Sequence, residues 1–510
     1  MTKGIFSHIR YDLQASIVVF LIALPLCLGI ALASEAPMFS GIIAGVVGGI
    51  VVGIASGSAL GVSGPAAGLV AIVLGAQKSL GSWEAFLLAG FIAGIFQVIA
   101  GFLRGGIIAY YFPSAVIKGM LSGIGIIIIL KQIPHLLGYD GSPLLTELTN
   151  GQLEFFHIEK AIENINSGVV IISIISLLIM TLWGYVINKG HKMFELLQAP
   201  LVVVLFGLLF AWLYESGLLP FYLEPSELVQ IPEFQNIADL THALTLPDFS
   251  QLVNPEVYRL AAVIALVTSL ETLLCVEATD KLDPYKRVTP TNRELKAQGL
   301  GNMLSCLIGG LPVTQVIVRS STNITFGAKT KLSAILHGGF LLICVLTIPT
   351  LLNRIPLASL AAILVMIGFK LASPSIFIQM YKMGWEQFLP FIITVVGIVA
   401  NNLLFGISMG FAVAVFIILR HNYLNSHETN LVMEEGLIFH MELAEEVSFL
   451  NKGSIIHQLT RIPPNSTLII DGSGSKFIDS DVREVIYNFL ESAKSNDIAV
   501  EVRGVQLCTP

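Results

Sequence analysis

A chain of 510 residues that is 54% hydrophobic and only 12% charged, with a mean hydropathy of +0.80, is no soluble globular protein, which would carry about a quarter charged residues. Its net charge of −7 is diffuse, so nothing in it suggests a nucleic-acid partner. Apolar runs of about 17–25 residues, long enough to cross a bilayer, recur from residue 13 to residue 421, and the chain reads as a polytopic α-helical membrane protein.

The amino terminus carries Lys3 and Arg10 and leads into an apolar stretch too long for a signal-peptide core. Leu13–Ala33 therefore reads as a retained first helix. Further spans are predicted at 41–56, 65–78, 84–103, 107–131, 166–187, 198–217, 256–277, 294–311, 314–326, 333–352, 357–373, 384–402 and 404–421. The third and the tenth are too short to cross alone, and both open on Gly and Pro: "GVSGPAAGLVAIVL" and "GGLPVTQVIVRSSTN". Short, interrupted segments at corresponding positions of two halves point to inverted repeats with a site near the midplane. The expectation is 14 transmembrane segments in two inverted 7-helix repeats, inferred from hydropathy rather than from residue identity between the halves.

Basic residues give the orientation. The loop at 218–255 has no Lys or Arg, and the loop at 132–165 has only Lys160. The connection after the eighth span holds Lys281, Lys286, Arg287, Arg293 and Lys296, and the turn after the sixth holds Lys189 and Lys192. Basic connections stay in the cytoplasm, which places both termini there, in a multi-pass cell (inner) membrane protein.

After Arg420 the composition becomes that of a soluble domain. "LVMEEGLIFHMEL" can form a hairpin, "STLIIDGSG" a buried strand, "SDVREVIYNFLESAKSND" an amphipathic helix and "IAVEVRGV" another strand. Alternating strands and helices predict a small cytoplasmic α/β domain. The boundaries are residues 1–425 for the transmembrane transport domain and 431–510 for the terminal one.

A membrane helix that starts inside the bilayer leaves its first N–H groups unpaired at the positive end of its dipole. Such backbone is tolerated only inside protein or beside a cavity, and its favourable partner is an anion. Ser63, Gly64 and Pro65 lead into one such start, Pro312 into the other, where Val316 opens the half-helix. An ordinary kinked membrane helix is the alternative, since Gly and Pro are common there. Arg319 follows the second start so closely that it reads as facing a pathway rather than snorkelling to the interface. Glu271 is the one carboxylate well inside a predicted core span and the obvious partner for Arg319. It can carry a proton, bind Na⁺ or hold Arg319 in place. Glu277 and Asp280 read as solvated helix-end acids. Cys27, Cys275, Cys306 and Cys344 lie in or beside apolar spans without metal-ligand spacing, and Cys508 lies near the end. They read as small core residues. His337 lacks a nucleophile or metal partner and reads as a hydrogen-bonded packing residue, so an enzyme is not expected and no cofactor is implied beyond coupling to H⁺ or Na⁺.

"YFPSAVIKGMLSGIGIIIILKQI" (111–133), "SLETLLCVEATDK" (269–281), "NRELKAQGLGN" (292–302) and "GGLPVTQVIVRSSTN" (309–323) together resemble the SulP family of anion permeases. The likeness runs from "YDLQASIVVFLIALPLCLGIALA" to the terminal domain, which resembles a STAS domain. It implies a core of helices 1–4 and 8–11, a gate of helices 5–7 and 12–14, and an elevator-like movement of the core. It also implies a homodimer and a small anion, bicarbonate or sulfate first and chloride or dicarboxylate behind, held between the starts of helices 3 and 10. Carried over by residue, the helix 8 carboxylate falls on Glu271, with Cys275 one turn later. The helix 10 start falls on Gln315, Val316 and Ile317 with Arg319, and the helix 3 start on Ser63, Ala66 and Ala67.

The chain departs from the family in places. "APMFSGI" replaces a "PVYGLY"-like segment, Leu26 stands where a glutamine is common, and Val316 and Ile317 stand where small or hydroxylated residues are frequent. Glu271 and Cys275 replace the Asp and Thr of sodium-coupled members, which leans towards proton-linked or exchange behaviour. Asp481 stands at the phosphorylatable serine of signalling STAS proteins, beside Ser480, so a structural dimerisation role for the domain is at least as well founded as regulation. Two other readings compete: a nucleobase-type permease of the same fold, and a membrane sensor that reports anion occupancy through the terminal domain.

Overall fold

The computed structural model describes residues 8–107, 113–138, 165–188, 198–234, 239, 241, 243–424, 427–433, 437–494 and 496–505. The loop around Lys160, the turn with Lys189 and Lys192, and Cys508 lie outside the described residues. Two compact units emerge: the described residues of Met1–Gly384 with Phe391–Ser408, and those of Trp385–Pro390 with Met409–Pro510.

Each predicted span overlaps a helix, though the fifth, predicted at 107–131, runs Ser114–Leu137 because Pro113 sets its start. The helices are α1 (Ile9–Ala33), α2 (Met38–Val47, continued by a π-helical turn Gly48–Val52 and by Gly53–Ala55), α3 (a 3₁₀ turn Ala67–Leu69 running into Val70–Leu80), α4 (Trp83–Phe102), α5 (Ser114–Leu137), α6 (Ser167–Asn188) and α7 (Ala199–Glu215). The second set is α8 (Pro255–Leu282), α9 (Thr291–Leu307), α10 (Ile317–Thr325), α11 (Leu332–Thr347), α12 (Leu357–Leu371), α13 (Trp385–Ala400) and α14 (Leu403–Leu424), with a short extra helix Pro374–Lys382 after α12. Among the described residues, seven helices are long and apolar enough to cross a membrane. The two that the sequence marks as broken stay short. At nine residues, α10 is about 13 Å long, under half of the ~30 Å hydrocarbon core.

The interior is built on α1. Ala15, Val19, Ala23, Cys27 and Ala31 are all fully buried, and their spacing of four puts them on one face of the helix. Along that face Ala15 packs with Leu60 and Ala328, Val19 with Val62 and Ala334, and Ala23 and Cys27 with Leu341. Small side chains let the backbones approach closely, which is how membrane helices pack without a hydrophobic drive. The segment that leads into α3, the turn that leaves α10 and helix α11 thus lie against one helix. Two strands, β1 (Ser63–Gly64) and β2 (Thr314–Gln315), precede α3 and α10 and pair antiparallel.

The carboxy-terminal part is α/β. Its four-stranded sheet runs β3 (His427–Met433), β4 (Leu437–Leu443), β5 (Thr467–Asp471) and β6 (Ala499–Arg503), in that order across the sheet. The first pair is antiparallel and the others parallel. Leu468 and Ile470 of β5 and Met441 and Leu443 of β4 face one side, as the period of two requires. There they meet Ile455 and Leu459 of α15 (Lys452–Leu459) and Val482 and Ile486 of α16 (Ser480–Lys494).

Candidate functional site

Main-chain bonds fix the two helix starts beside each other. Ser63 lies opposite Gln315 and Gly64 opposite Thr314. The Val316 N–H donates to the Val62 carbonyl at 2.9 Å, and the Val62 N–H donates to Ser320 Oγ at 3.0 Å. Asn323 Nδ2 donates to the Leu60 carbonyl at 3.0 Å. The N–H of Val316 is therefore already taken, against the expectation that it opens onto a cavity. The first intrahelical bond of α10 runs from the Ser320 N–H to the Val316 carbonyl at 3.0 Å. The N–H groups of Ile317, Val318 and Arg319 precede it, and α10 offers its positive end there.

Helix α8 lies across both starts. The Gly68 N–H is directed at the Glu271 carboxylate, and the Ile317 N–H at the Cys275 sulfur. The Gln315 N–H lies 3.4 Å from Thr272 Oγ1. Ala67, Val316, Ile317, Glu271 and Cys275 are partly exposed while Ala66 is buried, and the Gly68 and Ile317 contacts gather the two starts and the α8 side chains around one recess. Ser63 and Gln315 belong to its frame, not its surface. Ser63 Oγ accepts from Gln298 Nε2 at 2.7 Å, and Gln315 Nε2 donates to Thr279 Oγ1 at 2.9 Å.

Arg319 does not meet Glu271. Its side chain is fully buried and turned towards α1, where Nη2 lies 3.3 Å from Cys27 Sγ. Nη1 sits over Gly64, where a Cβ would collide with it. Nε and Nη1 of Arg319 and Oε2 of Glu271 have no hydrogen-bond partner among the described residues. Successive helical residues are set about 100° apart, so Arg319 points about 200° away from Ile317. If Ile317 faces the α8 recess, Arg319 faces its back wall. His337 is buried nearby, its Nδ1 2.8 Å from the Ala334 carbonyl, as a packing residue would be.

Glu294 near the start of α9 is fully buried and accepts from Ser56 Oγ at 2.5 Å and from Gln298 Nε2 at 3.0 Å. Through Gln298 it reaches Ser63 and steadies the first helix start. A matching chain steadies the other. Asn302 Nδ2 donates to Gln97 Oε1 at 2.6 Å, and the Val313 N–H donates to Asn302 Oδ1 at 2.5 Å. The buried threonines Thr268, Thr272 and Thr279 were findable in the sequence, because they share a helical face with Glu271 and Cys275.

A Cβ at Gly68 would meet the Glu271 carboxylate and displace it from the helix start. Gly68→Ala is expected to lower stability by the about 1–3 kcal/mol typical of overpacking and to lower anion affinity with it. Thermal unfolding and ligand titration of the purified variant check this, and wild-type values in both would refute it.

The Sulfate permease family model matches residues 9–394. YvdB of Bacillus subtilis (strain 168), which carries the name of a sulfate transporter, is 28% identical over 97% of this chain and 91% of its own. BicA, a bicarbonate transporter of Picosynechococcus sp., is 26% identical over 71% of this chain and 62% of its own, so this chain spans less than two thirds of it. Two solved structures of Solute Carrier 26 family member A9, one of them the murine protein, superpose with TM-scores of 0.81 and 0.80 at 15% and 14% identity. They cover 99% of this chain and 86% and 87% of theirs, and at that identity the likeness is one of fold.

Proposed function

We propose that this chain, which belongs to the sulfate permease family, is a secondary active transporter of small anions, with bicarbonate or sulfate first and chloride or a dicarboxylate behind. The single observation that carries the site is the convergence of two half-helix starts, fixed by β1 and β2, on the recess lined by Glu271 and Cys275. The anion binds between the amino ends of α3 and α10, at Ala66, Ala67, Val316 and Ile317, with Ser63 and Gln315 setting the frame. Arg319 acts from behind the recess as a buried, unpaired charge. Glu271, with Cys275 beside it, carries the coupling ion, H⁺ or Na⁺. Alternating access is elevator-like, with both termini in the cytoplasm of a cell-membrane homodimer.

The test is uptake by the purified protein in liposomes, with labelled bicarbonate, sulfate, chloride and succinate, with and without Na⁺ and a pH gradient. Flux of at least one anion supports the reading. Binding without flux would instead favour a sensor, and uptake of uracil alone would favour a nucleobase permease.

Residues 431–510 form a STAS-like domain that serves assembly more than chemistry, because the recess is built wholly from helices before it. Truncation at about residue 425 is expected to reduce expression or dimer content while leaving anion affinity within about twofold, under half a kcal/mol. A truncated protein that folds and inserts but no longer binds anion would assign the domain a direct part in binding.

A further inference from the structure

The loop that joins α8 to α9 carries more than the positive charge that fixes orientation. At the end of α8 lies a cavity of about 400 Å³, lined by Lys281, Lys286 and Arg287, by Glu277 and Asp280, and by apolar Leu273 and Val276. Beside it, a second hollow of about 240 Å³ runs between α4 and α8, past Phe96, Ala100, Ala262, Leu266 and Leu270. Leu273 lines both, so the charged cavity and the apolar groove adjoin along α8. From Leu273 to Ala262 the groove follows α8 for about 16 Å, close to the ~15 Å of hydrocarbon in one leaflet.

The rim mixes charge with exposed apolar groups. Leu282, Tyr285 and Val288 are 50%, 60% and 84% exposed, between Lys281, Lys286 and Arg287. On the other side of the groove Phe102 and Leu103 are 71% and 77% exposed, and Lys296 Nζ lies 4.6 Å from the Phe102 ring centroid. Large apolar side chains next to lysines are the composition of a bilayer interface, not of a water-facing loop.

We infer that this cavity and groove hold one membrane phospholipid, its phosphodiester at Lys281 and Lys286 and one acyl chain between α4 and α8. Lys281 Nζ pairs with Glu277 Oε1 at 2.5 Å, and Lys286 Nζ donates to the Lys281 carbonyl at 2.6 Å. Each ammonium has three donors, so both lysines keep N–H groups for phosphate oxygens. Arg287 is committed to Asp283 and to the Lys329 carbonyl and forms the wall. Glu277 and Asp280 give the cavity both signs of charge, which suits an ammonium-bearing phosphodiester such as a phosphatidylethanolamine headgroup. The inference needs only the membrane placement of α8 and is independent of which anion, if any, is transported.

Native mass spectrometry of the full-length protein with added dioleoyl-phosphatidylethanolamine tests it, with soluble glycerophosphoethanolamine as the control. Wild type should retain one lipid and none of the soluble headgroup. The double variant Lys281→Ala/Lys286→Ala should bind roughly tenfold to thirtyfold more weakly, at about one kcal/mol per lysine. Ala262→Trp, which fills the groove and leaves the lysines intact, should also lose the lipid. Thermal unfolding and a single symmetric gel-filtration peak for both variants show that they are folded. Unchanged lipid retention in both would overturn the inference. Equal retention of the soluble headgroup would make this a water-facing phosphate site, and lipid displaced on dimerisation would show that a second copy of the chain covers the groove.

Discussion

Glu271→Gln is expected to uncouple uptake from the pH gradient while leaving anion binding measurable. The carboxylate lies beside the Gly68 N–H at the first helix start, and its Oε2 has no partner among the described residues. A carboxyl there sees the same recess as the anion, so taking up a proton offsets the negative charge that the anion brings in. Glutamine keeps the size and mimics the protonated state permanently. In wild type, each coupled proton should support about tenfold accumulation per pH unit of acidity outside relative to inside, since one pH unit is worth about 1.4 kcal/mol. In the variant that factor should fall to one while exchange persists. Uptake by Glu271→Gln that still tracks the gradient would exclude this residue as the proton carrier and turn attention to Glu294.

The second large effect concerns Arg319. Its guanidinium is fully buried without a carboxylate partner among the described residues, and a buried charge at membrane depth is costly unless something compensates it. On the proposed reading, an anion at the neighbouring helix starts does so. Facing away from the recess, Arg319 acts through space, and a full charge about 6–12 Å from the anion contributes about 1.4–2.8 kcal/mol at an effective dielectric of about 20, so Arg319→Ala should weaken anion binding roughly tenfold to a hundredfold. Arg319→Lys should recover part of it, keeping the charge and losing the planar fork. Direct titration of wild type and both variants decides the matter. Three equal affinities would mean that Arg319 serves packing against Cys27 alone and that the helix ends bind the anion unaided.

Where the spans start and stop was legible because Gly, Pro and long apolar runs act locally. Pro65 and Pro312 interrupt helices whatever surrounds them. The strands and helix of the terminal domain were legible for the same reason, each burying one side of a regular pattern, as Leu468 and Ile470 do. The partner of Arg319 was not legible, because opposite charges on different helices look like a pair until their facing is known. The rotation of α10 alone would have warned against it. Ile317 and Arg319, two residues apart, cannot both face one recess. Glu294 was missed for a related reason. Near the start of a helix an acid looks solvated, and only the fold shows Ser56 and Gln298 closing over it.

The four residues of β1 and β2 have a consequence for how such a protein can change. The gap between the two helix starts is a distance between main chains, set by strand pairing that is indifferent to side-chain identity. Ala67, Val316 and Ile317, which are partly exposed, can therefore be exchanged for larger, smaller or hydroxyl-bearing residues without altering the span they flank. Substrate preference and scaffold geometry become separately inheritable traits, and a lineage can retune what it carries one residue at a time while the frame stays as it is.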